Sequence, residues 1–192
     1  MEKYVNEVLK ILERSKNFGY HKLKNGTKLF GNTKHIAPQA WFHQIFPPIG
    51  VLDLEQLLNE IGIPDVYCKF LLLMNGLNAF SCSISFFGLR TNYKRTIESV
   101  LQQPFNLITP NTIERPINAN DDHFFIGSYC EDGSLIYLNI YNMHVYRCAR
   151  EDIASLNEWP NLGEMLLSEI QRLYKLFDNK GIKINDKITT LP

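Results

Sequence analysis

The stretch from Ile61 to Arg90, IGIPDVYCKFLLLMNGLNAFSCSISFFGLR, constrains the fold more than any other, because it sets a buried helix, a sharp stop and a buried strand in immediate succession. Pro64 suits the first position of a helix, where its missing N–H has no intrahelical partner. Tyr67, Phe70, Leu71 and Met74 then recur at the spacing of one buried helical face, which Leu72 and Leu73 widen. Asn75-Gly76 predicts the stop, since Gly readily takes the left-handed conformation that closes helices. After the link Leu77-Asn78-Ala79-Phe80, the run Cys82 to Phe87 has the length and Ile/Phe content of a mostly buried strand, closed by Gly88.

Other elements can be placed around this unit. Val5, Val8, Leu9 and Leu12 predict an amphipathic helix over residues 2 to 16, stopped at Asn17-Phe18-Gly19. Asn25-Gly26 suits a type I′ turn between Tyr20–Leu23 and Thr27–Phe30, while Pro38, Pro47 and Pro48 predict an irregular arm up to residue 50. Trp41, Phe42, Ile45 and Phe46 must then pack on the core or on a partner, because each gains roughly 1.5–3 kcal/mol from full burial. Asp53 is placed as the N-cap of a helix carrying Leu54, Leu57, Leu58 and Ile61, ended by Gly62. A helical segment over 93 to 102 stops at Pro104, and 106 to 120 reads as a loop. Phe124–Tyr129, Leu135–Tyr141 and Val145–Ala149 form a meander, with Asp132-Gly133 at its first turn and Ile136, Leu138 and Ile140 facing the helices. Asn161 and Glu164 frame the start of a last helix carrying Leu162, Leu166, Ile170, Leu173 and Phe177, beyond which the tail is polar enough to fray. The expected fold is one α+β domain over 1–192, with a mainly antiparallel sheet packed against helices: an N-terminal helix and arm to residue 50, a core over 51–177 and a tail over 178–192.

Composition excludes more than it selects. Twenty Lys+Arg balance twenty Asp+Glu, so no overall field recommends nucleic acid or an anionic membrane. The unbroken apolar run Phe70–Met74 is far below the length that spans a bilayer, and the expected location is the cytoplasm. Cys68, Cys82, Cys130 and Cys148 are widely spaced among apolar residues, as reduced thiols are, and no disulfide is expected.

No nucleophile–base pairing, paired zinc-ligand spacing or phosphate-binding glycine loop is present, so neither metal nor cofactor is expected and the five histidines read as structural or solvated. Arg90, Tyr93, Lys94 and Arg95 form a basic–aromatic cluster too small to indicate nucleic acid. Asp121-Asp122 and Glu131-Asp132 could meet a basic partner, although turns ordinarily carry such residues. Tyr129, Tyr137, Tyr141, Tyr146 and Trp159 are assigned to core packing rather than to a recognition surface.

The order of these motifs resembles the SUKH superfamily, the Smi/Knr-type proteins found widely as bacterial toxin-immunity proteins. The resemblance runs through Asp53-Leu54-Glu55, Pro64, Tyr67, Phe70-Leu71, Asn75-Gly76 and Phe87-Gly88, then Phe125-Ile126-Gly127, Asp132-Gly133, Leu135 to Leu138, Val145-Tyr146 and the last helix, covering Val51 to Phe177. It implies a SUKH-like α+β fold and a non-catalytic cytoplasmic immunity protein whose partner is a cognate toxin, often a nuclease, with no nucleic acid or membrane bound directly. A regulatory scaffold like the fungal relatives, and a hydrolase using Asp or His between Asn106 and His123, are the alternatives. Tight recognition needs a few exposed anchors on variable loops. The candidates are Asn78 and Phe80 after the helix cap, Arg90 and Tyr93 after the strand, and Asp121 and Asp122 before the meander.

Overall fold

The computed structural model describes residues 1–94 and 96–192, so Arg95 of the basic–aromatic cluster lies outside the described residues. Strands β1 (Tyr20–Lys22), β2 (Lys28–Asn32), β3 (Trp41–Ile45), β4 (Leu77–Ala79), β5 (Ile84–Phe86), β6 (His123–Tyr129), β7 (Leu135–Asn139), β8 (Val145–Cys148) and β9 (Ser155–Trp159) make one nine-stranded sheet. Each strand lies beside its neighbours in sequence and every pairing is antiparallel. Position along the chain therefore becomes position across the sheet. The helices are α1 (Glu2–Leu12), α2 (Val51–Ile61), α3 (Asp65–Leu71), α4 (Ile97–Gln102), α5 (Ile108–Thr112) and α6 (Leu162–Tyr174). The architecture is α+β, and β6–β8 are the expected meander.

One face of the sheet is covered by α1, α3 and α6. Val5, Val8 and Leu12 of α1, Tyr67, Phe70 and Leu71 of α3, and Leu162, Leu166, Ile170 and Leu173 of α6 are buried with Ile136, Leu138 and Val145 in one cluster. Tyr67 also ties helix to sheet: its hydroxyl lies 2.6 Å from the Phe87 carbonyl, just past the end of β5, and 2.9 Å from that of Ile126 in the middle of β6. At α6 the Asn161 side chain accepts from the Glu164 amide at 2.9 Å and donates to its carboxylate at 3.1 Å.

Several sequence expectations change. Residues 31 to 50 are no irregular arm: Pro38 and Pro47-Pro48 bracket a five-residue strand, β3, which pairs with both β2 and β4 and buries Phe42 and Ile45. The link Leu77–Ala79 is itself a strand, and β5 begins at Ile84 because Phe80, Ser81 and Cys82 all have positive φ and make the turn. Asn25 keeps a negative φ, so only Gly26 turns over and the hairpin is not type I′. Gly50, not Asp53, caps α2, and Pro64 caps α3 from outside. Leu72 is exposed because α3 has already ended. The 106–120 loop contains α5, and β9 escapes notice because Ser-Leu-Asn-Glu-Trp is a polar edge strand. The tail does not fray. Glu131 accepts from the Thr189 and Thr190 hydroxyls at 2.6 Å and the Thr190 amide at 2.7 Å, and Arg172 donates to the Thr190 carbonyl at 2.7 Å. Those hydrogen bonds hold the Glu131 carboxyl down at about 2.

The N-terminal strands join the rest of the sheet through His43. Its ring is fully buried, Nδ1 accepts from the Phe80 amide at 3.2 Å, and Nε2 lies 3.1 Å from Ser15 Oγ. Because Nδ1 accepts, Nε2 carries the proton and donates to Ser15. Burial pushes the ring down to about 3.

Two predictions follow from this geometry. Between the ordinary histidine value of 6.5 and about 3, the unfolded chain binds a proton that buried His43 refuses, so stability falls as pH drops through that window. The slope is at most about 1.4 kcal/mol per pH unit. Denaturant unfolding from pH 7 to 4 should show a shallower decline for His43→Asn than for the wild type, and equal slopes would place the ring in contact with water. The second prediction compares two glycines. At Gly133 (φ +71) an added Cβ meets nothing nearer than 3.8 Å, so Gly133→Ala should cost only the strain, about 1 kcal/mol. At Gly127 it would lie 2.4 Å from the Ser85 carbonyl, so Gly127→Ala must part β5 from β6, at more than about 2 kcal/mol. Equal urea midpoints would contradict the β5–β6 register.

Candidate functional site

The second face of the sheet is built differently. Leu29, Gln44, Asn78, Ser85, Ser128, Leu135 and Cys148 stand directly opposite one another in successive strand pairs, so they form one row across β2 to β8 on one side. Toward the β6–β9 end this face is filled by Phe125, Leu135, Tyr137 and Cys148, with Ala119, Tyr146 and Ile153 packed on them. Over β3–β6 the row holds Gln44, Asn78, Ser85 and Ser128, whose mostly short polar side chains leave a trough.

Two cavities of about 630 and about 430 Å³ occupy this trough and meet at Cys82. The larger is a groove between the 36–40 loop and α4, with Trp41, Gln44, Ser81 and Arg90 among its lining residues. Its walls are apolar and open: Ile36, Ile97 and Val100 are 56, 59 and 50% exposed. The expected helix over 93–102 starts only at Ile97, where the Thr96 hydroxyl caps it by accepting from the Ser99 amide at 3.2 Å.

Polar bonds rather than packing hold α4 over the sheet. Asn75 donates to the Leu89 carbonyl at 3.0 Å and accepts from its amide at 2.7 Å, which fixes where the chain leaves β5. Gln103 Oε1 accepts from the Thr91 and Asn92 amides, both at 2.8 Å. From the other side, Asn25 of the β1–β2 hairpin donates to the Gln102 carbonyl at 2.8 Å. Arg90 donates to the Asn92 carbonyl at 3.0 Å, Ser99 Oγ at 3.2 Å and the Pro104 carbonyl at 3.4 Å. All three acceptors are neutral, and among the described residues no carboxylate pairs with Arg90.

The six partner-binding candidates fall in three places. Arg90 lines the groove, and Tyr93, 62% exposed, lies on the chain leading into α4. Asn78 and Phe80 are not exposed anchors. Asn78 is buried behind the groove floor and donates to Gln44 Oε1 at 2.7 Å, while its Oδ1 has no partner among the described residues. Phe80 is fully buried, stacked on Phe177 and edge-on to Phe42. Asp121 and Asp122 belong elsewhere: Asp121 lines a separate pocket with Arg115 and His123, and Asp122 accepts from Asn139 at 3.1 Å. The groove walls were missed because Ile97, Val100 and Leu101 carry the same helical spacing as a buried face.

Two side-chain arrangements bear on the chemistry available near the groove. The Ser15–His43 pair has the wrong tautomer for a general base, since Nε2 donates, and both side chains are buried. The Cys82 thiol at the cavity junction is raised to about 11, first by burial and then by Cys130 nearby, so it is not a ready nucleophile. All four cysteines are free, and Cys130 is exposed rather than set among apolar neighbours. Among the described residues no three His, Cys, Asp or Glu side chains converge as metal ligands, and no helix is long and apolar enough to cross a membrane.

Neutral overall charge conceals a gradient. Between Glu13 and Asp53 the chain carries Arg14, Lys16, Lys22, Lys24, Lys28 and Lys34 with no Asp or Glu, whereas residues 113–160 carry eight carboxylates against Arg115, Arg147 and Arg150. Because strand order follows sequence order, the β1–β3 side of the sheet is basic and the β6–β9 side acidic.

Comparison with family models, curated proteins and solved structures found no match for this chain. The groove walls carry no fold stability that would oppose their change. Ile97→Lys and Val100→Lys should each shift the unfolding free energy by less than about 0.5 kcal/mol. Leu29→Ala, at a buried position beside Gln44, should cost roughly 2–5 kcal/mol. A wall substitution as costly as the Leu29 change would show that α4 is packed shut on the sheet.

Proposed function

We propose that this protein is a non-catalytic binding module that neutralises a cognate bacterial toxin in the cytoplasm by occupying it, with the groove between α4 and the 36–40 loop as the contact surface. The observation that carries this reading is an open apolar groove held in shape by hydrogen bonds that Asn75, Arg90 and Gln103 make behind it. A preformed apolar surface with a polar rim suits tight association, because little ordering is left to oppose binding. The SUKH-like order of motifs supplies the toxin as partner. The hydrolase alternative gains nothing from the 106–123 segment, where Arg115 donates to the Asn111, Asn120 and His123 carbonyls and so acts as a loop brace.

The test is co-expression with the toxin candidate encoded beside the gene, followed by titration of the toxin's activity with purified protein. Growth should be rescued, and inhibition should be complete near one equivalent. Failure of folded protein to rescue growth, or inhibition at far less than one equivalent, would exclude stoichiometric neutralisation.

A further inference from the structure

We propose that the groove accepts an acidic protein segment with aliphatic or aromatic anchors, its carboxylates directed toward Arg90 and the β1–β2 hairpin. This names the partner chemistry of the proposed binding site and rests on that reading of the groove. Three observations carry it. The walls are branched aliphatic side chains, Ile36, Ile97 and Val100, all at least half exposed, so the occupant must bring apolar anchors. Among the described residues the one charged side chain lining the groove is Arg90, half-buried and bonded to neutral acceptors alone, which leaves its charge to attract a carboxylate. On the β1–β2 hairpin, Lys24 is exposed beside Asn25, whose side chain bonds the end of α4, and Lys24 has no ion pair among the described residues.

Carboxylates are drawn to the Arg90 part of the trough, because beyond Cys82 the smaller cavity is lined by one acidic and one basic side chain, Glu114 and Arg150, which offset each other. A single-stranded nucleic acid would meet the same cations, but it needs successive aromatic faces for its bases. Here the walls are aliphatic, and Trp41 already stacks on His21.

The experiment selects a displayed library of random linear peptides on the full chain and, in parallel, on the double variant Ile97→Ser/Val100→Ser, which removes the apolar walls without adding charge and whose exposed positions spare the core. Peptides selective for the wild type should carry clustered Asp or Glu beside Leu, Ile, Phe or Trp. Synthesised and titrated by fluorescence anisotropy, they should lose at least about tenfold in affinity on the double variant. Lys24→Glu should weaken them more at about 50 mM than at about 300 mM salt, because exposed charges are screened. Basic or uncharged selected sequences, equal binding to both proteins, or no wild-type-selective peptide would overturn the inference. Oligothymidylate binding that the double variant abolishes would overturn it in favour of nucleic acid. Toxin protection that survives when peptide selection fails would remove this partner chemistry alone, whereas groove-selective acidic peptides without toxin protection would leave it standing and remove the immunity reading.

Discussion

The turn between β4 and β5 is where the two halves of this protein are locked together. Phe80, Ser81 and Cys82 occupy the left-handed region in succession, a conformation that costs about 1–2 kcal/mol for each non-glycine residue. It persists because its surroundings over-determine it. The Phe80 amide is held by His43 Nδ1, the Ser81 amide donates to the Phe42 carbonyl at 2.8 Å, and the Phe80 ring is clamped by Phe42 and Phe177. One knot thus ties β3, the first half of the core and the segment just past α6. The same turn delivers Ser81 and Cys82 to the floor of the groove, so the strain sits beside the candidate site.

A sheet whose strands follow sequence order has consequences beyond topology. A crossover would mix N- and C-terminal strands and blur any compositional difference between the two halves. Here the difference is laid out in space, with lysines concentrated on one side and carboxylates on the other. The second face shows the same logic in its packing. Phe125, Leu135 and Tyr137 fill this face toward β7, while Ser85 and Ser128 keep the row shallow over β5–β6, and a trough opens where α4 bridges from the β1–β2 hairpin.

The sequence made the periodic elements legible and left the exceptions hidden. The spacing of Tyr67, Phe70 and Leu71, the Asn161–Glu164 pair and the Asp132-Gly133 turn each report a local preference that tertiary structure reinforces. β3 was hidden because Pro38 and Pro47-Pro48 mark only its limits, and β4 because three residues beside a helix stop carry no period. The left-handed turn at Phe80 had no signal, since no glycine or asparagine marks it. For the site, Arg90 and Tyr93 could be reached from local composition. The walls could not, because an apolar stripe at Ile97, Val100 and Leu101 looks the same whether it faces a core or a groove. Asn78 and Phe80 were misplaced for the converse reason: a residue after a helix stop looks loop-like until the strand it belongs to is seen.

An apolar groove stays open only where something other than hydrophobic contact holds its walls apart. Burying Ile97 and Val100 would gain roughly 1.5–3 kcal/mol for each side chain, so α4 should collapse onto the sheet unless that is prevented. The prevention is polar: Asn75, Arg90 and Gln103 fix the chain before and after α4, Asn25 fixes its end, and closing the groove would break several of these bonds together. The exposed aliphatic surface is therefore a consequence of hydrogen bonding elsewhere, and it can change identity without loss of the fold. Floor and walls are thereby separated, with the sheet residues setting stability and α4 and the 36–40 loop free to vary in side-chain identity.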